Sequence, residues 1–273
     1  ILTSWNALML RGYVDAYFAF GEKQFLLSAL KNSEFILNNM MNDEGRLNRN
    51  YKNGSPLRSA SAKPGKSNIN AFLDDYAYTI EAFISLYEAT FDEKWIYAAK
   101  KLADYVLSHF NDSDSQMFFY TSDIDDPLIT RKIDFSDNVA PSSNSSFATG
   151  LIKLSKFFFE EGYEELASKL INSIKQSALK NPSFHSYWLT AAMYLAYPYY
   201  EVGIIGDESF DKRNLLVKEY FPNIVMFGSR EGGSLDVLKE RFVKGKTLIY
   251  ICENGTCQLP VEEVRKAVVH LKK

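Results

Sequence analysis

The segment FLDDYAYTIEAFISLYEAT, residues 72–90, is apolar on nearly all sides. A helix with this pattern is enclosed by other helices, because it has no polar face to turn toward water. Two carboxylates, Asp74 and Asp75, lie in its first turn. The segment therefore predicts a buried inner helix with a polar start.

The polar start of this segment recurs at intervals of 70 residues. The triplets that each open a long apolar segment are Ser4-Trp5-Asn6, Asp74-Asp75-Tyr76 and Asn144-Ser145-Ser146. Repeats built from one helical hairpin stack side by side, so that each covers the faces of its neighbours. Equivalent polar residues are then expected at equivalent ends of the inner helices.

Apolar inner helices alternate with amphipathic outer helices over the first 200 residues. The predicted helices cover 4–20, 22–41, 72–90, 94–110, 145–160, 164–179 and 185–197, the last being a fourth enclosed helix. Gly21 is expected to end the first of them. This alternation is typical of an α/α hairpin toroid, and the protein is predicted to be mainly α.

A different pattern follows residue 200. Short apolar runs predict strands at 202–205, 224–227 and 247–251, and helices are predicted at 211–220, 235–242 and 261–271. We therefore divide the chain into a toroid segment, residues 1–200, and a small C-terminal α/β unit, residues 201–273.

Two long connections, 43–70 and 111–142, join each outer helix to the next inner helix. They exceed the usual length of a loop, and each contains a hairpin-like stretch, the first before the turn Asn53-Gly54. In an up-and-down array such connections lie at the end where the inner helices begin. We expect the functional site at this end, since long loops on a rigid scaffold carry function.

Three carboxylates at this end are candidate catalytic groups: Asp74, Asp75 and Asp137. Glycoside hydrolysis uses two carboxyl groups roughly 5–9.5 Å apart across a cleft, which favours Asp75 and Asp137 as acid and base. A second interpretation stays open. Asp74 caps the helix, Asp75 interacts with the positive end of the helix dipole, and neither reacts.

Other polar and aromatic residues at this end are candidate substrate-binding groups. Aromatic rings are expected to stack on a sugar, and amide, hydroxyl and guanidinium groups to bind its hydroxyls. The candidates are Trp5, Tyr76, Asn6, Arg49, Asn138, Asn144 and Ser145. In one interpretation Arg49 or Arg58 binds an anionic or hydroxylated substrate. In the other, the first loop, which is basic, forms ion pairs with the second loop, which is acidic.

Composition excludes several classes of protein. The net charge of −3 argues against nucleic acid or an anionic membrane as partner, and no apolar stretch reaches the length of a membrane span. Two cysteines suit a reducing compartment, so we expect a cytoplasmic protein. Cys252 and Cys257 are too widely spaced for a CxxC pair and are interpreted as structural thiols, with a zinc site including His270 as the alternative. No metal or cofactor is predicted.

Four ordered motifs carry a family resemblance across the whole chain. They are residues 1–9, Asp74-Asp75-Tyr76-Ala77, Asp137-Asn138 with Pro141-Ser142 and Asn144-Ser145, and residues 250–254 with Thr256-Cys257. These motifs resemble the C-terminal part of the YyaL-like thioredoxin-domain proteins, a group that includes spermatogenesis-associated protein 20.

The resemblance implies a thioredoxin-like domain followed by a six-hairpin-glycosidase-like toroid, similar to N-acylglucosamine 2-epimerases and unsaturated glucuronyl hydrolases. This chain would hold the later hairpins of an incomplete toroid. Two functions follow as expectations: a carbohydrate-active or sugar-binding toroid, glycosidase-like or epimerase-like, or a non-catalytic helical scaffold for protein partners. An incomplete toroid exposes inner-helix faces, so we expect self-association or coverage by the N-terminal half of the same protein.

Overall fold

The computed structural model describes residues 1–52, 69–126, 129–159 and 161–272. Its first part consists of helices that run up and down. They are α1 (Thr3–Phe20), α2 (Lys23–Phe35, continued by a π-helical turn, Ile36–Met40), α3 (Leu73–Thr90), α4 (Glu93–His109), α5 (Ser143–Phe158), α6 (Glu161–Lys180) and α7 (Ser186–Ala196).

The inner helices α1, α3, α5 and α7 pack side by side in that order, and α2, α4 and α6 pack outside them. Nearly every described side chain of α3 and α5 is buried, because each lies between two inner helices and an outer one. Large rings, among them Tyr76, Phe83 and Phe147, fill the space between the layers. The alternation of inner and outer helices confirms the predicted α/α toroid architecture.

The helices at the two ends of this array have one unpacked face each. α1 leaves Trp5 72% exposed, with Leu8 and Met9 also in solvent. On α7, Trp188 and Ala191 are buried, whereas Leu189, Met193 and Tyr197 are exposed. The prediction that 185–197 is enclosed is therefore wrong, because α7 packs on α5 and α6 with one side and leaves its other apolar side in water.

The α/β unit forms a mixed sheet beside the helices. Its strands are β1 (Tyr200–Ile205), β2 (Ile224–Ser229), β3 (Leu248–Glu253) and β4 (Thr256–Cys257), and its helices are α8 (Ser209–Leu216) and α9 (Val264–Leu271). The strand order is β2-β1-β3-β4, with β1 parallel to β2 and antiparallel to β3.

The helix predicted at 235–242 is wrong, because the structure forms a single 3-10 turn, Asp236–Leu238. Leu235, Val237 and Leu238 are buried together there, so their apolar spacing serves a compact turn beside the sheet. Apolar spacing over so few residues does not distinguish a turn from a helix.

Cys252 and Cys257 form a disulfide, so the interpretation of the two residues as structural thiols is wrong. The two residues face each other in the antiparallel pairing of β3 with β4, which brings their Cα atoms to 3.8 Å. The turn Asn254-Gly255 lies between them, and both residues have positive φ, 49° and 76°. Among the residues that the structure describes, no group of three side chains is suited to bind a metal ion.

In the parts of the long loops that the structure describes, 43–52, 69–70, 111–126 and 129–142, the backbone forms isolated pairings rather than hairpin strands. Residue pairs such as Asn48 with Asn70 and Phe119 with Ile133 are bridged singly. The predicted turn Asn53-Gly54 and Arg58 lie outside the described residues. Within the described ranges, no helix has the length and apolarity that a membrane crossing requires.

Arg213 joins the α/β unit to the helices. It lies on α8, is almost fully buried, and donates hydrogen bonds to the carbonyl of Ala89 at the end of α3 and to the Tyr17 hydroxyl, the latter at 3.0 Å. Its guanidinium also lies near the rings of Phe91 and Phe210. A cation at the C-terminal end of α3 is favourable because free carbonyls gather there.

Replacing Arg213 with Met tests this attachment. We expect Arg213→Met to lower the free energy of unfolding by about 2–3 kcal/mol, since a buried carbonyl loses its charged donor. Urea unfolding measures the change, with Lys218→Met on the exposed surface as the control. A variant as stable as the wild type would mean that the cost of burying the cation offsets its contacts.

Candidate functional site

The long loops cover the first turns of the inner helices. The first N–H groups of a helix have no partner within the helix, so buried ones need acceptors from elsewhere. Backbone carbonyls of the loops supply them: Arg49 accepts from Thr3 at 2.9 Å, Tyr120 from Leu73 at 3.0 Å, and Asp134 from Asn144 at 3.3 Å. As predicted, loops and inner-helix starts lie together.

Asp75 connects α1, α3 and the first long loop. Its Oδ1 accepts from the Ser4 amide at 2.8 Å, and its Oδ2 accepts from the Phe72 amide at 2.9 Å and from Arg49 Nη1 at 3.0 Å. The residue is 0% exposed. Both carboxyl oxygens are therefore engaged by the protein itself.

Asp74 shares the Arg49 cation with Asp75. Arg49 Nη1 lies 3.3 Å from Asp74 Oδ1, and the guanidinium lies 4.3 Å from the centre of the Phe72 ring. Burial, followed by the negative charge of Asp74, raises the pKa of Asp75 to about 7. Burial also raises the pKa of Asp74, against the attraction of Arg49.

Asp137 makes the corresponding connection between α5 and α7. Its Oδ1 accepts from the Ser142 amide at 2.8 Å and from the Ser145 hydroxyl at 2.7 Å. Its Oδ2 accepts from the Tyr187 amide at 2.8 Å. Asp137 thus joins the starts of two inner helices, as Asp75 does for α1 and α3.

Two further predicted residues hold the loops in place. The side-chain amide of Asn144 accepts from the Phe118 amide and donates to the Phe118 carbonyl, both at 2.9 Å. The Tyr76 hydroxyl accepts from the Leu47 amide at 2.8 Å. Both side chains are buried, so their polar groups serve the loops in this conformation.

The remaining predicted residues are more open. Trp5 projects into solvent from α1, and Asn138 is exposed in the second loop. Asn6 donates to the Leu2 carbonyl at 2.7 Å. The structure therefore gathers Arg49, Asp74 and Asp75 in one cluster and Asp137 with Ser145 in another.

A second group of polar residues lies deeper, where the inner helices face one another. Arg11 of α1, Glu81 of α3 and Tyr187 of α7 meet at one point. Arg11 Nη1 lies 2.5 Å from Glu81 Oε2 and donates to the Tyr187 hydroxyl at 2.8 Å, and that hydroxyl donates to the same Oε2 at 2.5 Å. Together with Glu88 and Lys153 we call these residues the central cluster.

Glu88 and Lys153 extend the cluster along α3 and α5. Glu88 Oε1 accepts from the Met226 amide at 3.0 Å, and burial raises the pKa of this carboxyl. Burial, followed by the charge of Arg11, lowers the pKa of Lys153. The Glu81 charge in turn raises the pKa of Arg11. Charge in this cluster is therefore balanced between helices far apart in sequence.

A small cavity of about 20 Å³ reaches the central cluster. Its walls are formed by Ala7, Leu8, Arg11, Tyr78, Glu81, Pro141 and Ser146. The Arg11 side chain is 32% exposed, whereas Glu81 is buried. Sequence reasoning missed this cluster, although Arg11 and Glu81 are 70 residues apart and so occupy the same register as the polar triplets.

Substituting Asp75 tests its connecting role. We expect Asp75→Asn to lower the free energy of unfolding by about 2 kcal/mol, because an amide nitrogen cannot accept from a backbone N–H. Asp74→Asn is the matched control and should cost less, since its remaining oxygen can still accept from the Asp75 amide. Equal losses in urea unfolding would contradict the assignment.

The raised pKa of Asp75 predicts a pH dependence. Burial and the Asp74 charge raise the pKa of Asp75 from its ordinary value of 3.8 to about 7, so the unfolded chain releases this proton at a lower pH than the folded chain does. The contribution of Asp75 to the free energy of unfolding therefore falls as the pH rises from about 4 to about 7. The advantage of the wild type over Asp75→Asn should shrink across this window, and a constant difference would contradict the shift.

Comparison with known proteins finds relatives that match almost all of this chain but only about a third of their own length. It is 25% identical to human spermatogenesis-associated protein 20 over 278 residues, 96% of this chain and 35% of that protein. It is also 25% identical to an uncharacterized protein of Caenorhabditis elegans over 279 residues, 97% of this chain and 37% of the relative. The chain thus spans little more than a third of the length of these relatives. No model of a protein family matches it.

Among solved structures, the chain is similar to the GH76 α-mannanase BT2949 of Bacteroides thetaiotaomicron. The TM-score is 0.52 at 14% sequence identity, and the match covers 93% of this chain and 65% of the mannanase. This likeness concerns the fold. The chain is thus similar in sequence to spermatogenesis-associated protein 20 over almost its whole length, as its motifs predict, and its α/α toroid fold is like that of the mannanase.

Proposed function

We propose that the chain is part of a carbohydrate-binding α/α toroid in which the central cluster binds sugar hydroxyls. The observation that carries this proposal is the meeting of Arg11, Glu81 and Tyr187 from three inner helices. Charged groups inside a helical array are costly to bury unless they are paired or bind a ligand. Here Arg11 is paired, and its side chain is 32% exposed at a cavity of about 20 Å³, which admits a single hydroxyl group.

The chemistry of the cluster suits hydroxyl groups. A guanidinium donates in a fixed fork, a carboxylate accepts, and a tyrosine hydroxyl does both. Each sugar hydroxyl also donates and accepts, so one hydroxyl can exchange hydrogen bonds with Arg11 and Glu81. Leu8 lines the same small cavity as Arg11, and Trp5 lies exposed three residues earlier on α1, so both offer apolar surface on this helix.

The known fold neighbour supports the ligand class without fixing the reaction. The similar protein from Bacteroides thetaiotaomicron is described as an α-mannanase. A glycosidase-like or epimerase-like reaction, with Asp75 and Asp137 as acid and base, stays a prediction. Those two carboxyls are hydrogen-bonded to backbone amides, so a catalytic role requires the loops to open.

Sugar binding is tested by titrating the chain with α-mannobiose and cellobiose while recording amide NMR spectra. We expect the Tyr187 amide to shift, and Arg11→Met and Glu81→Gln to weaken binding at least tenfold, about 1.4 kcal/mol. Lys23→Met, an exposed cation on the outer helix α2, is the matched control. A Tyr187 amide that both disaccharides leave unshifted would contradict the proposal.

Catalysis by Asp137 has a separate test. If Asp137 is an acid or base, Asp137→Asn abolishes hydrolysis or epimerisation of a sugar that the folded wild type turns over. If it serves only to connect α5 and α7, the variant loses stability and keeps its activity at low temperature. Turnover and urea unfolding measured on the same samples separate the two roles.

A second function, a scaffold for other helices, is favoured by the exposed apolar faces of α1 and α7. Leu189, Met193 and Tyr197 lie along one side of α7. We propose that these faces are covered by further helices of the same fold, because the chain accounts for 65% of the similar mannanase and 35% of its human relative. The attachment of a thioredoxin-like domain belongs to this proposal.

Light scattering tests whether the exposed faces of α1 and α7 form an interface. The chain, lacking a cover for these faces, should self-associate, and Met193→Asp should shift it toward the monomer. Leu259→Asp is the matched control, since Leu259 is a fully accessible apolar residue on the α/β unit. A wild-type chain that stays monomeric at high concentration would contradict the exposed interface.

A further inference from the structure

A cavity of about 660 Å³ lies at the end of the inner helices opposite to the loops. It is bounded by the end of α5, the start of α6 and the β3–β4 turn and is open to solvent on one side, and its walls include Lys156, Phe159, Glu164, Glu201 and Asn254. Its volume falls within the range of small-molecule sites. Lys156 is eleven residues beyond Ser145 in α5, which places the cavity about 16 Å from the helix start.

Lys156 is held in place at the base of this cavity. Its Nζ donates to Glu164 Oε2 at 2.8 Å and to Asn254 Oδ1 at 2.9 Å. A lysine ammonium has three donors, so one N–H is left for another acceptor. The disulfide Cys252–Cys257 closes the turn that carries Asn254 and thereby fixes this contact.

Glu201 provides an acceptor beside that donor. It lies on β1, is 2% exposed, and its Oε2 accepts from the Gly255 amide at 3.2 Å. Its Oε1 is buried without a hydrogen bond to any described residue, and it lies 4.0 Å from Lys156 Nζ. An unsatisfied buried carboxyl oxygen costs free energy, so a ligand that donates to it is favoured.

The spacing of these two atoms selects the ligand. Two polar atoms 4.0 Å apart are too distant to bond each other, yet one hydroxyl oxygen reaches both at ordinary hydrogen-bond lengths. That hydroxyl donates to Glu201 Oε1 and accepts from Lys156 Nζ. The acidic groups Glu164, Glu165 and Glu201 are nearly balanced by Lys156 and Lys169 around the cavity, so a neutral hydroxyl fits better than an ion of either sign.

The rim of the cavity adds an apolar surface. Phe159 follows the last residue of α5 with a φ of 49°, and its side chain is 44% exposed. Leu195 of α7 lines the same cavity. An exposed ring beside paired donors and acceptors suits a sugar, which has apolar C–H faces and polar edges.

We propose that this cavity is a second carbohydrate site, in which Lys156 and Glu201 share one sugar hydroxyl and the Phe159 ring packs against the sugar. It shares the ligand class of the proposed function but none of its residues. Binding here would anchor a saccharide between the helical array and the α/β unit.

Amide NMR titration of the whole chain with cellobiose and α-mannobiose tests this site. The Gly255 amide, which donates to Glu201, is expected to shift on addition of at least one disaccharide. Phe159→Asn removes the ring while keeping a residue that tolerates the left-handed backbone, and should weaken binding at least threefold. Glu201→Gln should weaken binding more than Phe159→Asn does. Phe20→Asn, at an exposed ring at the end of α1, is the matched control.

The two sites are distinguished by which amides respond. Arg11→Met should leave the Gly255 shift unchanged, because it alters the central cluster alone. A Gly255 amide that neither disaccharide shifts at tens of millimolar overturns this proposal, even if the Tyr187 amide responds. A Gly255 shift that survives in both Phe159→Asn and Glu201→Gln overturns it as well.

Discussion

The fold depends on how the buried N-terminal turns of the inner helices satisfy their free N–H groups. Four such helices start at one end, and their first amides cannot bond within the helix. Asp75 accepts from the start of α1 while capping α3, and Asp137 accepts from α5 and α7. Each carboxylate therefore connects two neighbouring helices.

This constraint explains the polar triplets as structural groups. The proposed ligand-binding groups of the central cluster lie deeper, between the inner helices. Because Asp75 and Asp137 are bonded to backbone amides, the proposed ligand contacts lie instead between the inner helices and at the Lys156 cavity. Arg11 of the central cluster lies beside Glu81, and Lys156 of the cavity lies near Glu201. The helices thus hold two polar centres.

The local pattern of apolar and polar residues was sufficient to predict most of the helices in the first part of the chain. The enclosed segment 72–90 and the 70-residue repeat predict α3, its neighbours and the end at which the loops gather. Contacts between distant residues were not predictable in this way. Arg11 meets Tyr187 across 176 residues, and the disulfide of Cys252 depends on the strand register. Spacing also failed at 185–197, because a helix with apolar residues all round does not reveal which neighbours are present.

Native-state hydrogen exchange of the Ser4 and Tyr187 amides tests the central claim most directly. Both lie in the first turn of an inner helix, where amides ordinarily exchange fast because they lack a helical partner. Since they donate to Asp75 and Asp137, they should exchange as slowly as amides in the middle of α3. Exchange at the rate of a free amide, in a chain whose α3 is protected, would contradict the account.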